Sequence, residues 1–155
     1  MNEAVHPLQR RFWAVCEQIL MDHTNPWELD EALTDWGYAM GPCEAQDLVG
    51  LDVVLAARKL DMQLPILPRM VAEGRLGKKT GWGYYRYPGG NGAVIDPLIE
   101  DLILEEVRFA KHPRTALEGE LLVDRVHALM SEHVRADPVG AVAVLHFPVN
   151  KVGLL

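Results

Sequence analysis

Between residues 8 and 21 the apolar side chains are Leu8, Phe12, Trp13, Val15, Cys16, Ile19 and Leu20. Spacings of three and four put them on one side of an α-helix. The pattern stops at Asp22-His23-Thr24, and Asn25-Pro26-Trp27-Glu28 restarts it. Asn25 suits an N-cap, Pro26 suits the first helical position, where no N–H is needed, and Glu28 completes a capping box. This second helix presents Leu29, Ala32, Leu33 and Trp36 on one face and ends at Gly37. Residues 38–41 are a connection. Pro42 opens a third helix, expected to run through Leu48, Val49, Leu51, Asp52, Leu55 and Ala56 to about Leu60. Gly50 in its middle costs about 1 kcal/mol relative to alanine, a cost that points to close approach by another helix.

A shorter helix is expected over 65–73, with Leu67, Met70 and Val71 inward. Residues 74–96 hold seven glycines and read as a long ordered loop, with Tyr84, Tyr85 and Tyr87 as an extended piece pinned on the core. Asp96-Pro97 starts another helix that buries Leu98, Ile99, Leu102, Ile103 and Val107, and a further helix spans about 117–134. From Asp137 the tail is apolar and reads as irregular, with Pro138, Pro148 and Gly153 as breakers. No stretch alternates as a run of strands would, so the class is all-α. There is a faint internal echo: residues 125–153 repeat, in shortened form, the helix, Asx-Pro, apolar run and Gly/Pro turn of residues 10–42.

Composition narrows the function classes. At 155 residues the chain suits one domain, or one domain with a partial second unit, and can bury a core without staples. A net charge of −7 argues against nucleic acid as a main partner, since phosphate binding needs a basic field. No apolar run approaches the length of a membrane span, and the N-terminus lacks the basic start and apolar core of a secretion signal, so a cytoplasmic protein is expected. Cys16 and Cys43 have no metal-like spacing and read as reduced, buried thiols.

Candidate chemistry is thin. Gly74-Arg75-Leu76-Gly77-Lys78-Lys79-Thr80 invites comparison with a phosphate-binding loop, but that loop requires Ser or Thr directly after Gly-Lys and a preceding strand. The glycines read instead as permitting tight turns, and Arg75, Lys78 and Lys79 as solvated or facing an acidic group on a ligand or neighbouring domain. The six histidines do not cluster; His127 and His133 lie six apart, not the four that would place two imidazoles on one metal. With His6 and His23, they read as surface or capping residues without fixed companions. Asp35, Glu44 and Asp47 read as helix-start residues acting through capping and the helix dipole. The lone serine, Ser131, is not framed as a nucleophile, and no dinucleotide fingerprint follows a strand. The residues offer no catalytic constellation and no metal site.

Two segments in order, Asp30 to Val53 with its Met40-Gly41-Pro42 turn and the loop Gly74 to Tyr85, resemble the C-terminal helical domain of the 3-hydroxyacyl-CoA dehydrogenases over about residues 8–110. The resemblance implies a multi-helix bundle like the 6-phosphogluconate dehydrogenase C-terminal domain, with no Rossmann domain. It implies that residues 1–112 form this helical domain and that 113–155 are a degenerate second repeat, as in multifunctional fatty-acid oxidation enzymes. It places Met40, Gly41 and Pro42 on the wall of a substrate cleft and makes Gly77, Lys79, Gly81, Gly83 and Tyr85 a structural loop. It implies a homodimer, acyl-CoA at a domain interface, and NAD only through a separate Rossmann domain, with no cofactor on this chain and no activity alone. The family's substrate-contacting Asn, near the start of its first helix, falls at or near His6, where this chain departs from the pattern. A second reading is a non-catalytic interaction or oligomerisation module that kept the fold.

Overall fold

A computed structural model describes residues 5–59 and 63–145. Those residues form eight α-helices: α1 (Pro7–Asp22), α2 (Pro26–Trp36), α3 (Pro42–Val49), α4 (Leu51–Ala56), α5 (Ile66–Ala72), α6 (Pro97–Ala110), α7 (Glu120–Ala136) and α8 (Pro138–Leu145). Among the described residues there is no strand. The loop between α5 and α6 has only single bridges, Gly77 with Trp82, Trp82 with Arg86 and Arg86 with Val94. The all-α class expected from the apolar spacing is the class observed.

Prolines set many of the boundaries. α1, α2, α3, α6 and α8 each open on proline, whose fixed φ and missing N–H suit the first helical position. Asn25 accepts from the Glu28 amide at 2.9 Å and Asp96 from Leu98 at 3.1 Å, so α2 and α6 are capped as their sequences suggested. α1 is the central rod, with α3, α6, α7 and α8 packed around it. Its Cys16, Ile19 and Leu20 are fully buried in one hydrophobic core that also holds Leu33, Ile66, Ile103, Leu122 and Met130.

The third helix is not continuous. Gly50 adopts φ 108°, ending α3, and the Leu51 amide turns away to donate to the Leu76 carbonyl at 2.9 Å. Among the described residues no α-helix presses on Gly50; the Lys79 side chain crosses it, with Nζ 2.9 Å from where a Cβ would stand. The expected helix end near Leu60 lies outside the described residues. The described part of the tail is not irregular either. Pro138 starts a helix rather than breaking one, Asp137 caps it through the Gly140 amide at 3.0 Å, and Ala141 and Leu145 are buried. Phe147, Pro148 and Gly153 lie outside the described residues.

The segment joining α6 to α7 is fastened to the end of α1. Arg114 donates to the Thr24 carbonyl at 2.6 Å, Thr115 N–H to Asp22 O at 2.9 Å, and His112 pairs with the Asp22 carboxylate. A guanidinium beside the last carbonyls of a helix complements its dipole.

Candidate functional site

The turn at Met40-Gly41-Pro42 is built around Asp30. This aspartate projects from the middle of α2 and accepts the Cys43 amide at 2.9 Å and the Glu44 amide at 3.0 Å. It therefore caps α3 from a neighbouring helix, at a start whose own N-cap residue, Gly41, has no side chain. A Cβ on Gly41 would stand 2.2 Å from Asp30 Cγ, which explains the glycine. Met40 is left exposed while Pro42 is buried.

Met40 and Pro42 border an apolar cleft of about 350 Å³, together with Phe12 and Trp13 of α1, Val49 of α3 and Leu145 of α8. Gly41 is not in its lining. Tyr38 stacks on Phe12 with centroids 5.8 Å apart, and its hydroxyl meets His127 Nε2 at 3.1 Å. Met40 and Pro42 thus border this apolar hollow, and Gly41 shapes the turn beside it.

The glycine-rich loop closes around a second carboxylate. Asp47, fully buried in α3, accepts the Tyr84 amide at 2.9 Å, the Tyr85 amide at 3.0 Å and the Tyr87 hydroxyl at 2.6 Å. A Cβ on Gly83 would lie 2.2 Å from Asp47 Oδ1, and one on Gly77 2.3 Å from the Asp47 carbonyl oxygen. Gly81 has open space around it but needs its φ of 86°. Tyr85 ties the two centres together: its hydroxyl donates to Asp30 Oδ2 at 2.8 Å. Burial pushes both Asp30 and Asp47 up to about 6, against the hydrogen bonds that hold them down. The loop does not suit the phosphates of a dinucleotide, because Asp47 already fills the hollow the glycines create and takes the amides of Tyr84 and Tyr85.

The loop's cations meet partners within the chain. Lys79 pairs with Asp52 at 2.7 Å, both half-exposed. Arg75 is buried, pairs with Asp96 at 3.1 Å and lies 4.1 Å over the Trp82 ring. Asp47 is thus not a helix-start residue as expected, and Asp35 stands near the end of α2; only Glu44 occupies a first turn. His6 caps α1 by accepting the Leu8 amide at 3.0 Å, but His23 and His127 have companions, Thr115 O and the Tyr38–Trp36 pair. Cys16 and Cys43 are free and buried, and burial pushes both thiols well up. Among the described residues no group of His, Cys, Asp and Glu is placed to hold a metal.

Sequence reasoning missed Asp30 and did not see Asp47 as buried, although a signal existed. Leu29, Asp30 and Leu33 share one helix face, as do Cys43, Gln46 and Asp47. A carboxylate at a buried-stripe position needs donors, and exposed helix-start roles cannot supply them.

Residues 4–87 match the family described as "3-hydroxyacyl-CoA dehydrogenase, C-terminal domain". The peroxisomal bifunctional enzyme of Danio rerio is 34% identical over 139 residues, covering 76% of this chain and 19% of that protein. The peroxisomal fatty acid beta-oxidation multifunctional protein of Oryza sativa is 32% identical over 155 residues, covering 83% of this chain and 21% of that one. The chain thus spans about a fifth of the length of these relatives. The crystal structure of the dehydrogenase part of multifunctional enzyme 1 from Caenorhabditis elegans shares the fold, with a TM-score of 0.68 at 23% identity over 86% of this chain and 31% of that one. The Met-Gly-Pro turn and the glycine loop both fall inside the matched stretch, and the chain belongs to the family of 3-hydroxyacyl-CoA dehydrogenase C-terminal domains.

Proposed function

We propose that this chain supplies one wall of the acyl-CoA cleft of an NAD-dependent 3-hydroxyacyl-CoA dehydrogenase acting in fatty-acid β-oxidation. NAD and the hydride-transfer chemistry belong to a Rossmann partner, on another part of the protein or another chain. One observation carries the reading: the apolar cleft bordered by Met40, Pro42, Phe12 and Trp13. Its surface suits the methylene chain of an acyl thioester, each buried CH₂ contributing about 0.8 kcal/mol. On this reading residues 113–155 are a shortened second helical repeat. Its described part, α7 and α8, packs on α1, and α8 contributes Leu145 to the cleft.

The test is NADH oxidation with acetoacetyl-CoA, run with the chain alone and then with a Rossmann domain from a relative. Activity only in the mixture, lost on Met40→Asp, is the expected result. No activity in either, from a folded chain, sinks the reading.

A second reading, a helical interaction or oligomerisation module, is favoured by Leu48, Val49 and Val53, large apolar side chains exposed along α3 and α4 beside the cleft. A homodimer belongs to both readings, and this face is where we place it. Sedimentation of the chain and of Val53→Lys tests that face: a dimer abolished by the substitution, in a chain that stays inactive with a Rossmann partner, supports the module, and a monomer in both sets it aside. A cytoplasmic location remains part of the proposal, beside relatives named peroxisomal. Among the described residues no helix is long and apolar enough to cross a membrane.

A further inference from the structure

On another side of α1 the chemistry reverses. A cleft of about 460 Å³ is lined by Arg10, Arg11, Lys59, His6, His133 and Asp137. Among the described residues three permanent cations face a single carboxylate there, on a chain whose net charge is −7. The carboxylate is already engaged. Asp137 caps α8 through the Gly140 amide and lies 3.7 Å from His6 Nε2. Arg10 is held in place by donating to the Val5 carbonyl at 2.7 Å. Arg11 and Lys59 have no carboxylate partner among the described residues, in contrast to Arg58, Arg69, Arg75 and Lys79, each of which is ion-paired. The cations come from α1 and from the segment after α4, so the fold brings together charges that are far apart in sequence.

Like charges facing one open hollow repel, and solvent screens that repulsion only in part; an anion entering the hollow relieves it. Arginine offers paired donors to phosphate oxygens and lysine a mobile point charge, so phosphate suits the set better than an isolated carboxylate does. We propose that this cleft binds the phosphate groups of a small phosphorylated molecule. It shares no lining residue with the apolar cleft, so the proposal stands apart from the reading of acyl-CoA binding and can fail without it.

The test is titration of the full chain by calorimetry, and by amide chemical shifts of residues 8–12, with pyrophosphate, ADP and adenosine. Parallel titrations use the double variant Arg11→Gln/Lys59→Gln, with thermal unfolding as the check that it folds. Both substituted side chains are at least part-exposed, and neither has an ion pair with another described residue. The expected result is saturable binding of a phosphate-bearing probe that weakens with added salt and falls about tenfold or more in the variant, as expected for loss of charge-assisted hydrogen bonds. Binding of both pyrophosphate and ADP identifies the phosphate alone as the recognised group. Binding of ADP without pyrophosphate identifies a nucleotide. No binding of either phosphate probe, binding of adenosine as tight as ADP, or binding unchanged in the folded variant overturns the proposal.

Discussion

Glu17, Asp30 and Asp47 stand on the buried faces of α1, α2 and α3, and each accepts backbone hydrogen bonds from another segment. Their value lies in the donors they satisfy. Asp47→Ala leaves three buried donors without an acceptor, a loss on the order of 3 kcal/mol or more. Denaturant unfolding should show it, and a midpoint within error of the parent would contradict the role. The glycines around Asp47 make a second comparison. Gly81→Ala meets only backbone strain, roughly 1–2 kcal/mol, while Gly83→Ala meets the Asp47 carboxylate and should cost more. In a double-mutant cycle, Gly83→Ala and Asp47→Ala should cost less together than their sum. Acidity gives a third prediction. With Asp30 raised to about 6 in the folded chain and roughly 3.9 expected when unfolded, the fold binds a proton between about pH 4 and 6 that the unfolded chain does not. Its contribution is fully present below about pH 4 and lost as pH rises through about 6. The stability of the parent relative to Asp30→Asn should therefore decline from pH 4 to 6, measured by denaturant midpoints; a difference that is flat or rises over that window contradicts the assignment.

Helices and the junctions between them follow the same rule. Glu17 of α1 accepts the Ile66 amide at 2.7 Å and pairs with Arg58 at 2.6 Å, so one carboxylate caps α5 and fixes the segment leading into it. Removing it by Glu17→Ala leaves Arg58, itself nearly buried, without its counter-charge, and costs about 3–5 kcal/mol. Glu17→Gln retains an acceptor and should cost less; equal losses for the two would argue that packing, not acceptance, is the role. The helices themselves were legible because proline, Asx caps and three-four apolar spacing are local. The break at Gly50 was not. It depends on Leu51 donating to Leu76 and on Lys79 crossing the backbone to reach Asp52, contacts made by a loop more than twenty residues away in sequence. The α8 helix was hidden for a related reason: an all-round apolar stretch shows no stripe until a partner surface selects one.

For the molecule as a unit, α7 and α8 belong to the same core as the residues that match the family. Leu122, Val126, Met130 and Val134 are buried, and α7 packs on both α1 and α2. Deleting residues 118–155 would uncover the face of α1 beneath them, burial worth roughly 1.5–3 kcal/mol for each large apolar side chain. The shortened chain should lose its cooperative thermal transition and bind a hydrophobic dye. A sharp transition near that of the parent would show that the first part folds by itself.

The sequence by itself determined the all-α class, most helix boundaries and the two turns that place the chain in its family. Those features depend on backbone preferences and on periodicity within a few residues. Tertiary structure alone decided that the glycine loop encloses a carboxylate, that Asp30 caps a helix it does not belong to, and that Met40 and Pro42 share a cleft with α1 and α8. Each of these joins segments distant in the chain. A buried charge takes whichever donors the fold brings within about 3 Å, and residue order does not record that distance.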